Sequence, residues 1–387
     1  MARFLLVTWD GGGNVQPMLG IARALSGRGH AVRTLAWRVD TSRVEDTGST
    51  FVPIEAPFDI EARTWEEQND ETLSLGMEVP SQILDEAQSW PADAIVVDFM
   101  LRNGVCAAEA SGLPSAALVH TQQAYYDFPP SLDPEAWGWD VEGIARLRDE
   151  LGLTPLPGTG ERVLLRLLRE FPLAISVMPR AFEDPTLASP PTVVHVGPVF
   201  ERDDERWPTD LPWSPDDPSP LAVVAFSSTY MRHEAVLERV GMALADAGWR
   251  VLITLGTAIG ALRADELAGG PWVVRTDIAH LPLMRHASLV VTHAGLGTVM
   301  AAMTAGTPMI CMPMGRDQDV NAERVEALGL GVALAPDAAG EEIREAATAI
   351  HASASIEGAA REMAAAIASM GGADQAVAEL EALLVRA

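Results

Sequence analysis

The sequence predicts an α/β protein of two domains, each built on a doubly wound parallel sheet. Three observations carry that expectation. Short apolar, β-branched runs alternate with stretches that are apolar at helical spacing through both halves of the chain, the pattern of successive βαβ units. Between Phe200 and Pro220 the composition changes abruptly, with Glu201-Arg-Asp-Asp-Glu-Arg206 followed by prolines at 208, 212, 215, 218 and 220, the mark of an exposed linker. A length of 387 residues is enough for two domains of ordinary size, each burying its own core. The expected divisions are 1–200, a linker at 201–220, 221–372, and a terminal helix at 373–387 beyond Met370-Gly-Gly372. The halves repeat a pattern and not a sequence, with a cleft expected between them.

In the first half, Arg3 to Thr8 (RFLLVT) reads as a strand, Trp9-Asp-Gly-Gly-Gly-Asn14 as a turn, and Val15 to Leu25 as a helix. Gly29 ends that helix and Ala31 to Ala36 makes the next strand. The turn is not a dinucleotide fingerprint, because G-x-G-x-x-G counted from Gly11 places Gln16 where the last glycine belongs. Residues 51 to 92 are mixed, with prolines at 53, 57, 80 and 91 and an acidic helical piece from Glu61 to Leu75. Ala94 to Val97 is a buried strand ending in Asp98, and Ser115 to Val119 is another, ending in His120. Ligands of open parallel sheets gather at the C-terminal ends of strands, so Asn14, Asp98 and His120 are expected on one rim. Each alone reads as a turn cap or a hydrogen-bonded loop residue; three together read as a candidate site. Gln122 to Trp139 then concentrates Tyr125, Tyr126, Phe128, Trp137 and Trp139 among prolines. Two readings stay open for it: a loop with a satellite apolar cluster, or the wall of a pocket for a flat apolar acceptor. Val193 to Val199 closes this half.

The second series begins with Leu221 to Phe226 (LAVVAF), ending in Ser227 and Ser228, and continues with Val251 to Leu255 before Gly256-Thr257. Its centre is Thr292-His-Ala-Gly-Leu-Gly-Thr298, preceded by the strand-like run Ser288 to Thr292 and followed by helix-forming residues from Thr298 to Ala305. Thr298 is expected to cap that helix with its hydroxyl. Gly295 and Gly297 carry no Cβ to hold an anion away from the backbone N–H groups, and the helix dipole adds roughly half a positive charge. His293, just before the turn, can donate a further hydrogen bond to an oxyanion. Gly306 and Pro308 stop the helix, Met309 to Met312 makes the next buried strand, and Asp317, Gln318 and Asp319 follow within Met314-Gly-Arg-Asp-Gln-Asp319. Acceptor and amide side chains there suit vicinal sugar hydroxyls. A phosphate at one turn and a sugar at the next describe a nucleotide diphosphate sugar.

His293-Ala-Gly-Leu-Gly-Thr298, Ala305-Gly-Thr-Pro308, and Asp317-Gln318 followed by Asn321 together resemble the donor-binding signature of inverting family-one glycosyltransferases, in their actinobacterial natural-product branch. The resemblance runs in order over about thirty residues. It implies the GT-B fold of two Rossmann-like domains facing each other across a cleft, and transfer of a sugar from a UDP- or TDP-sugar to a hydroxyl of an apolar or aromatic small molecule. It implies no metal and no cofactor beyond the nucleotide-sugar co-substrate. It further implies that His293, Gly295, Gly297 and Thr298 hold the diphosphate, with Ser227 and Ser228 facing it. Asp317 and Gln318 would hold the sugar hydroxyls, and Ile278 and His280, in Thr276-Asp-Ile-Ala-His280, would lie at the donor. Tyr125, Tyr126 and Phe128 are the candidate acceptor contacts.

The sequence departs from the family at three places. The glutamate that commonly binds the ribose falls at Ala301, and the aromatic that commonly stacks on the base falls at Asp277. The histidine or aspartate usual as base in the first turn is replaced by Asn14, while its partner aspartate falls at Asp98. An amide has no useful basicity. Four accounts are open: Asp98 acts as base with Asn14 orienting the acceptor, His120 acts, the acceptor is acidic enough to need little help, or the protein binds donor without transfer. A nucleotide-sugar epimerase of the same fold is the enzymatic alternative. Asp317-Gln-Asp319 also spells the D-x-D of metal-dependent transferases, a three-letter string of little weight.

The formal net charge of −27 argues against nucleic acid and anionic membranes as partners. It also opposes an anionic donor globally, yet screening over about 8 Å at physiological salt leaves a local nest of N–H groups able to prevail. All 27 basic residues are arginine. No apolar run reaches the roughly 18 to 20 residues of a membrane helix. Asp10 and three glycines follow the first strand, which is no secretory signal, so a cytoplasmic protein, monomer or homodimer, is expected. Cys106 and Cys311 both sit in apolar surroundings and read as buried thiols.

Overall fold

A computed structural model describes residues 1–10, 13–55, 76–126, 141–156, 163–201, 207–208, 211–214, 216–226, 234–255, 267, 269–276 and 278–386. The chain divides into two compact units, Met1–Glu201 together with Gly371–Ala387, and Arg202–Met370. Each is a Rossmann-like parallel sheet with helices in the crossovers.

The first unit holds seven strands: β1 (Arg3–Trp9), β2 (Ala31–Trp37), β3 (Thr50–Pro53), β4 (Ala94–Asp98), β5 (Ser115–Val119), β6 (Ala174–Ser176) and β7 (Val193–His195). Every pair is parallel, in the order β3-β2-β1-β4-β5-β6-β7. The central strands are continuous apolar runs because helices cover both faces of the sheet, and β4 and β5 are buried throughout. From β1 the chain winds outward to β3, then returns to start β4 on the other side. The strand order therefore reverses between β1 and β4, the place where such sheets bind ligands.

The terminal helix Gly372–Arg386 belongs to this unit. Its Ala376, Val377, Leu380 and Leu383 pack into the core with Phe4, Met18, Leu25 and Val96. The Gly372 N–H donates to the Val196 carbonyl at 2.9 Å, and Arg28 and His30 reach Glu381 at 3.0 and 2.9 Å. The sequence marks 373–387 as an amphipathic helix, but which sheet it covers is a tertiary matter.

The second unit holds β8 (Leu221–Ala225), β9 (Arg250–Leu255), β10 (Val273–Thr276), β11 (Leu289–Thr292), β12 (Met309–Cys311) and β13 (Gly331–Ala333), all parallel in the order β10-β9-β8-β11-β12-β13. Its reversal falls between β8 and β11. Val224, Leu244, Ile253, Val291, Ile310 and Ile343 are among its core residues. Cys106 and Cys311 are both buried and free, and burial pushes their thiols up to about 11 and about 12. Among the described residues no helix is long and apolar enough to cross a membrane.

The expected helical piece from Glu61 to Leu75 lies outside the described residues, as do Trp137, Trp139, Gly256, Thr257 and Asp277.

Candidate active site

In the second unit β11 delivers the chain into the turn 293–295 and the helix Leu296–Ala305. The cap of this helix is Gly295 (φ −61°, ψ 135°), with no side chain capping it. The expectation that Thr298 caps is thus corrected. Thr298 is the third helical residue, and its own N–H returns to the Gly295 carbonyl at 3.0 Å, as does that of Val299 at 3.1 Å. The helix starts three residues earlier than propensity places it, with Gly295 as an extended cap residue at a place where His293 leaves no room for a Cβ. The N–H groups of Leu296 and Gly297 then have no carbonyl within the helix to receive them, and Gly297 is exposed.

A Cβ at Gly295 would collide with Nε2 of His293 and stand 2.8 Å from its Cε1. The missing side chain is therefore what seats the imidazole over the turn. His293 is buried, with its ring 6.0 Å from that of Phe226 at the end of β8. Between His293 and Gly295, Ala294 takes φ +67°, a left-handed conformation costly to a residue with a Cβ. Two bonds hold it there: its N–H donates to Thr292 Oγ1 at 3.2 Å, and its carbonyl accepts from Asn321 Nδ2 at 3.0 Å.

Asn321 lies one turn into the helix Gln318–Ala327, whose cap residue is Asp317. Its amide also donates to Asp317 Oδ2 at 3.1 Å. One fully buried amide thus fixes the turn after β11 and the carboxylate after β12. Gln318 is buried, and its Oε1 accepts from the Met314 N–H at 2.7 Å, closing the loop between β12 and its helix. Asp317 is the more exposed of the two, and Asp319 is exposed. Arg316, at φ +59°, is strained like Ala294, and Arg38, directly after β2, has φ +55°. All three left-handed non-glycine residues among those described follow a strand on the ligand-binding rim of its sheet.

Ile278 and His280 stand beyond β10, with His280 opening the short helix His280–Met284. His280 Nε2 is 3.1 Å from Thr254 Oγ1 near the end of β9, and burial lowers the imidazole to about 4, leaving it neutral at physiological pH. Ser227 and Ser228 lie outside the described residues.

In the first unit the three rim residues meet. Register brings them together: Val7 pairs with Val97 and Asp98 with Leu118, so Asp98 faces both the end of β1 and the end of β5. Asn14 occupies the cap position of the helix Val15–Gly27, yet its side chain does not cap it. Its Nδ2 donates instead to the Trp9 carbonyl at 2.6 Å and to Asp98 Oδ2. Asp98 Oδ1 accepts from the Met100 N–H at 2.8 Å and lies 3.0 Å from His120 Nε2. The carboxylate has no exposed surface, whereas the His120 side chain keeps 16%.

Tyr125 and Tyr126 end a 3₁₀ turn, Gln123–Tyr126; their side chains, and the whole of Phe128, lie outside the description. What fixes that turn is Glu183, which no sequence pattern marks. It is buried, accepting from the Gln123 N–H at 2.9 Å and from Gln123 Nε2 at 3.3 Å. Asn321 was visible in the motif, but its clamp on Ala294 depends on two neighbouring strands and is not.

Comparison with known proteins follows the same lines. The family described as "Erythromycin biosynthesis protein CIII-like, C-terminal domain" matches residues 253–383. The chain is 25% identical to the NDP-glycosyltransferase YjiC of Bacillus licheniformis over 388 residues, covering 97% of this chain and 96% of that one. It is similar in structure to the glycotransferase of kitacinnamycin, with a TM-score of 0.79 at 21% identity over 99% of both chains. It is also similar to the glycosyltransferase SsfS6 of Streptomyces sp. SF2575, solved with thymidine diphosphate, with a TM-score of 0.70 at 21% identity over 98% of this chain and 99% of that one.

Proposed function

We infer that this chain, a glycosyltransferase of the GT-B fold and of the family-one natural-product type, moves a sugar from a UDP- or TDP-sugar to a hydroxyl of an apolar, aromatic small molecule. Transfer proceeds by direct displacement with inversion and without a metal. The observation that carries this reading is the turn 293–298: an imidazole seated on a glycine, above the N-terminus of a helix, where the strand order of its sheet reverses. Backbone N–H groups, the helix dipole and His293 stabilise the departing diphosphate. Asp317 accepts from sugar hydroxyls, with Gln318 beside it. Ile278, His280, Ser227 and Ser228 complete the donor site. The thymidine diphosphate held by SsfS6 supports a nucleoside diphosphate leaving group here. In the first unit the segment carrying Tyr125, Tyr126 and Phe128 binds the acceptor.

Calorimetry with UDP and TDP, then incubation of UDP- and TDP-sugars with a panel of phenols and alcohols, tests this. Nucleotide binding weakened tenfold or more by His293→Ala, together with a glycoside of inverted configuration, is the expected result. No nucleotide binding at millimolar concentration sinks the reading, while an interconverted donor would make the protein an epimerase.

A further inference from the structure

We propose that His120 is the general base, held by Asp98 and Asn14 as positioning residues, so that an imidazole on the third strand of the rim does the work the first turn leaves undone. This rests on the transferase reading above. Three neighbouring strand ends supply three different chemistries around one carboxylate. Asn14 carries no basic atom, and its amide nitrogen is committed to the Trp9 carbonyl and Asp98 Oδ2. Asp98 is basic but has no exposed surface, and its oxygens already accept from Asn14, Met100 and His120. A group that cannot touch the acceptor cannot take its proton. Of these three side chains, His120 is the one that combines a basic nitrogen with exposed surface.

The bond to Asp98 also sets the tautomer. A carboxylate oxygen only accepts, so Nε2 carries the proton and Nδ1 is the basic nitrogen of this tautomer. As the acceptor oxygen forms its bond to the anomeric carbon, its proton passes to Nδ1. The bond from that carbon to the diphosphate oxygen breaks, with the electron pair leaving on the diphosphate. The imidazolium so formed is stabilised across 3.0 Å by the Asp98 carboxylate and returns its proton to water.

Steady-state kinetics of wild type, His120→Gln and Asp98→Asn between about pH 5 and 9, with an aliphatic alcohol and an acidic nitrophenol as acceptors and nucleotide affinity followed separately by calorimetry, test the assignment. His120→Gln is expected to lower kcat for the alcohol by about 10²- to 10⁴-fold, to remove the acidic limb of the pH profile, and to cost far less with the nitrophenol. Its UDP or TDP affinity should stay within twofold. Asp98→Asn is expected to keep that limb but shift it to lower pH, because the imidazolium loses its carboxylate. Wild-type kcat and an unaltered limb in His120→Gln overturn the proposal, as does an equal loss with both acceptors. If His120→Gln does not fold, His120→Asn carries the same test. Wild type that binds nucleotide but glycosylates nothing overturns the transferase reading itself, and the proposal with it.

Discussion

The side-chain amide of Asn321 donates to the carbonyl of Ala294 at 3.0 Å and to the carboxylate of Asp317 at 3.1 Å, joining the turns that follow β11 and β12. A left-handed alanine without that partner would relax toward an ordinary conformation and carry the turn with it. Asn321→Ala is therefore expected to cost about 1–3 kcal/mol, for the loss of one buried and one part-buried hydrogen bond, and to weaken nucleotide binding although Asn321 touches no phosphate in the proposed site. Thermal denaturation and calorimetry of the variant check both parts.

Gly295 is required by the ring above it. Gly295→Ala drives a methyl into the space of His293 Nε2, and the imidazole can swing aside at less cost than the backbone can move. Nucleotide affinity should fall about tenfold or more, the loss of one charge-assisted hydrogen bond, with a melting temperature close to wild type. A variant that binds normally would show that the ring has no part in the site.

His280 makes the second unit sensitive to acid. Its folded value of about 4 lies below the ordinary 6.5, so the unfolded chain binds the proton more readily. The stability it contributes is full above about pH 6.5 and is lost as pH falls toward 4. His280→Gln, which keeps an amide within reach of Thr254 Oγ1, should flatten that part of the stability profile in urea denaturation. An unchanged slope would assign the acid sensitivity to other groups.

The two thiols are expected to be silent. Burial raises both well above physiological pH, and the thiolate is the reactive form. A thiol reagent should modify neither Cys106 nor Cys311 in the native protein and both after denaturation; rapid native labelling would contradict this.

The terminal helix stabilises the first unit. Leu380 is fully buried beside Met18 and Leu25, so Leu380→Ala should destabilise that unit by about 2–5 kcal/mol, while nucleotide affinity of the folded protein stays at the wild-type value. Loss of nucleotide binding without loss of stability would contradict the division of labour between the units.

Much of the candidate site is legible in the sequence because its signals are local. Glycine at a helix start, a β-branched run before it and a glycine at its end describe strand, turn and helix within fifteen residues, and Gly306 does close the helix in the left-handed conformation at φ +73°. Propensity places the cap at Thr298 because a hydroxyl is a commoner cap than an open glycine, and only the seat of His293 shows why glycine is used. Glu183 was illegible, since nothing near it in the chain distinguishes it from an exposed glutamate.

By itself, the sequence determined two parallel α/β units, the order of their elements and the residues that stand at strand ends, because hydrophobic period and turn chemistry act over a few residues. Only the tertiary structure decided that Asn14, Asp98 and His120 converge on one buried carboxylate, that Asn321 holds Ala294, and that the last helix covers the first sheet. Those relationships depend on strand order and register, which are fixed by packing between residues as many as 353 positions apart and leave no local trace.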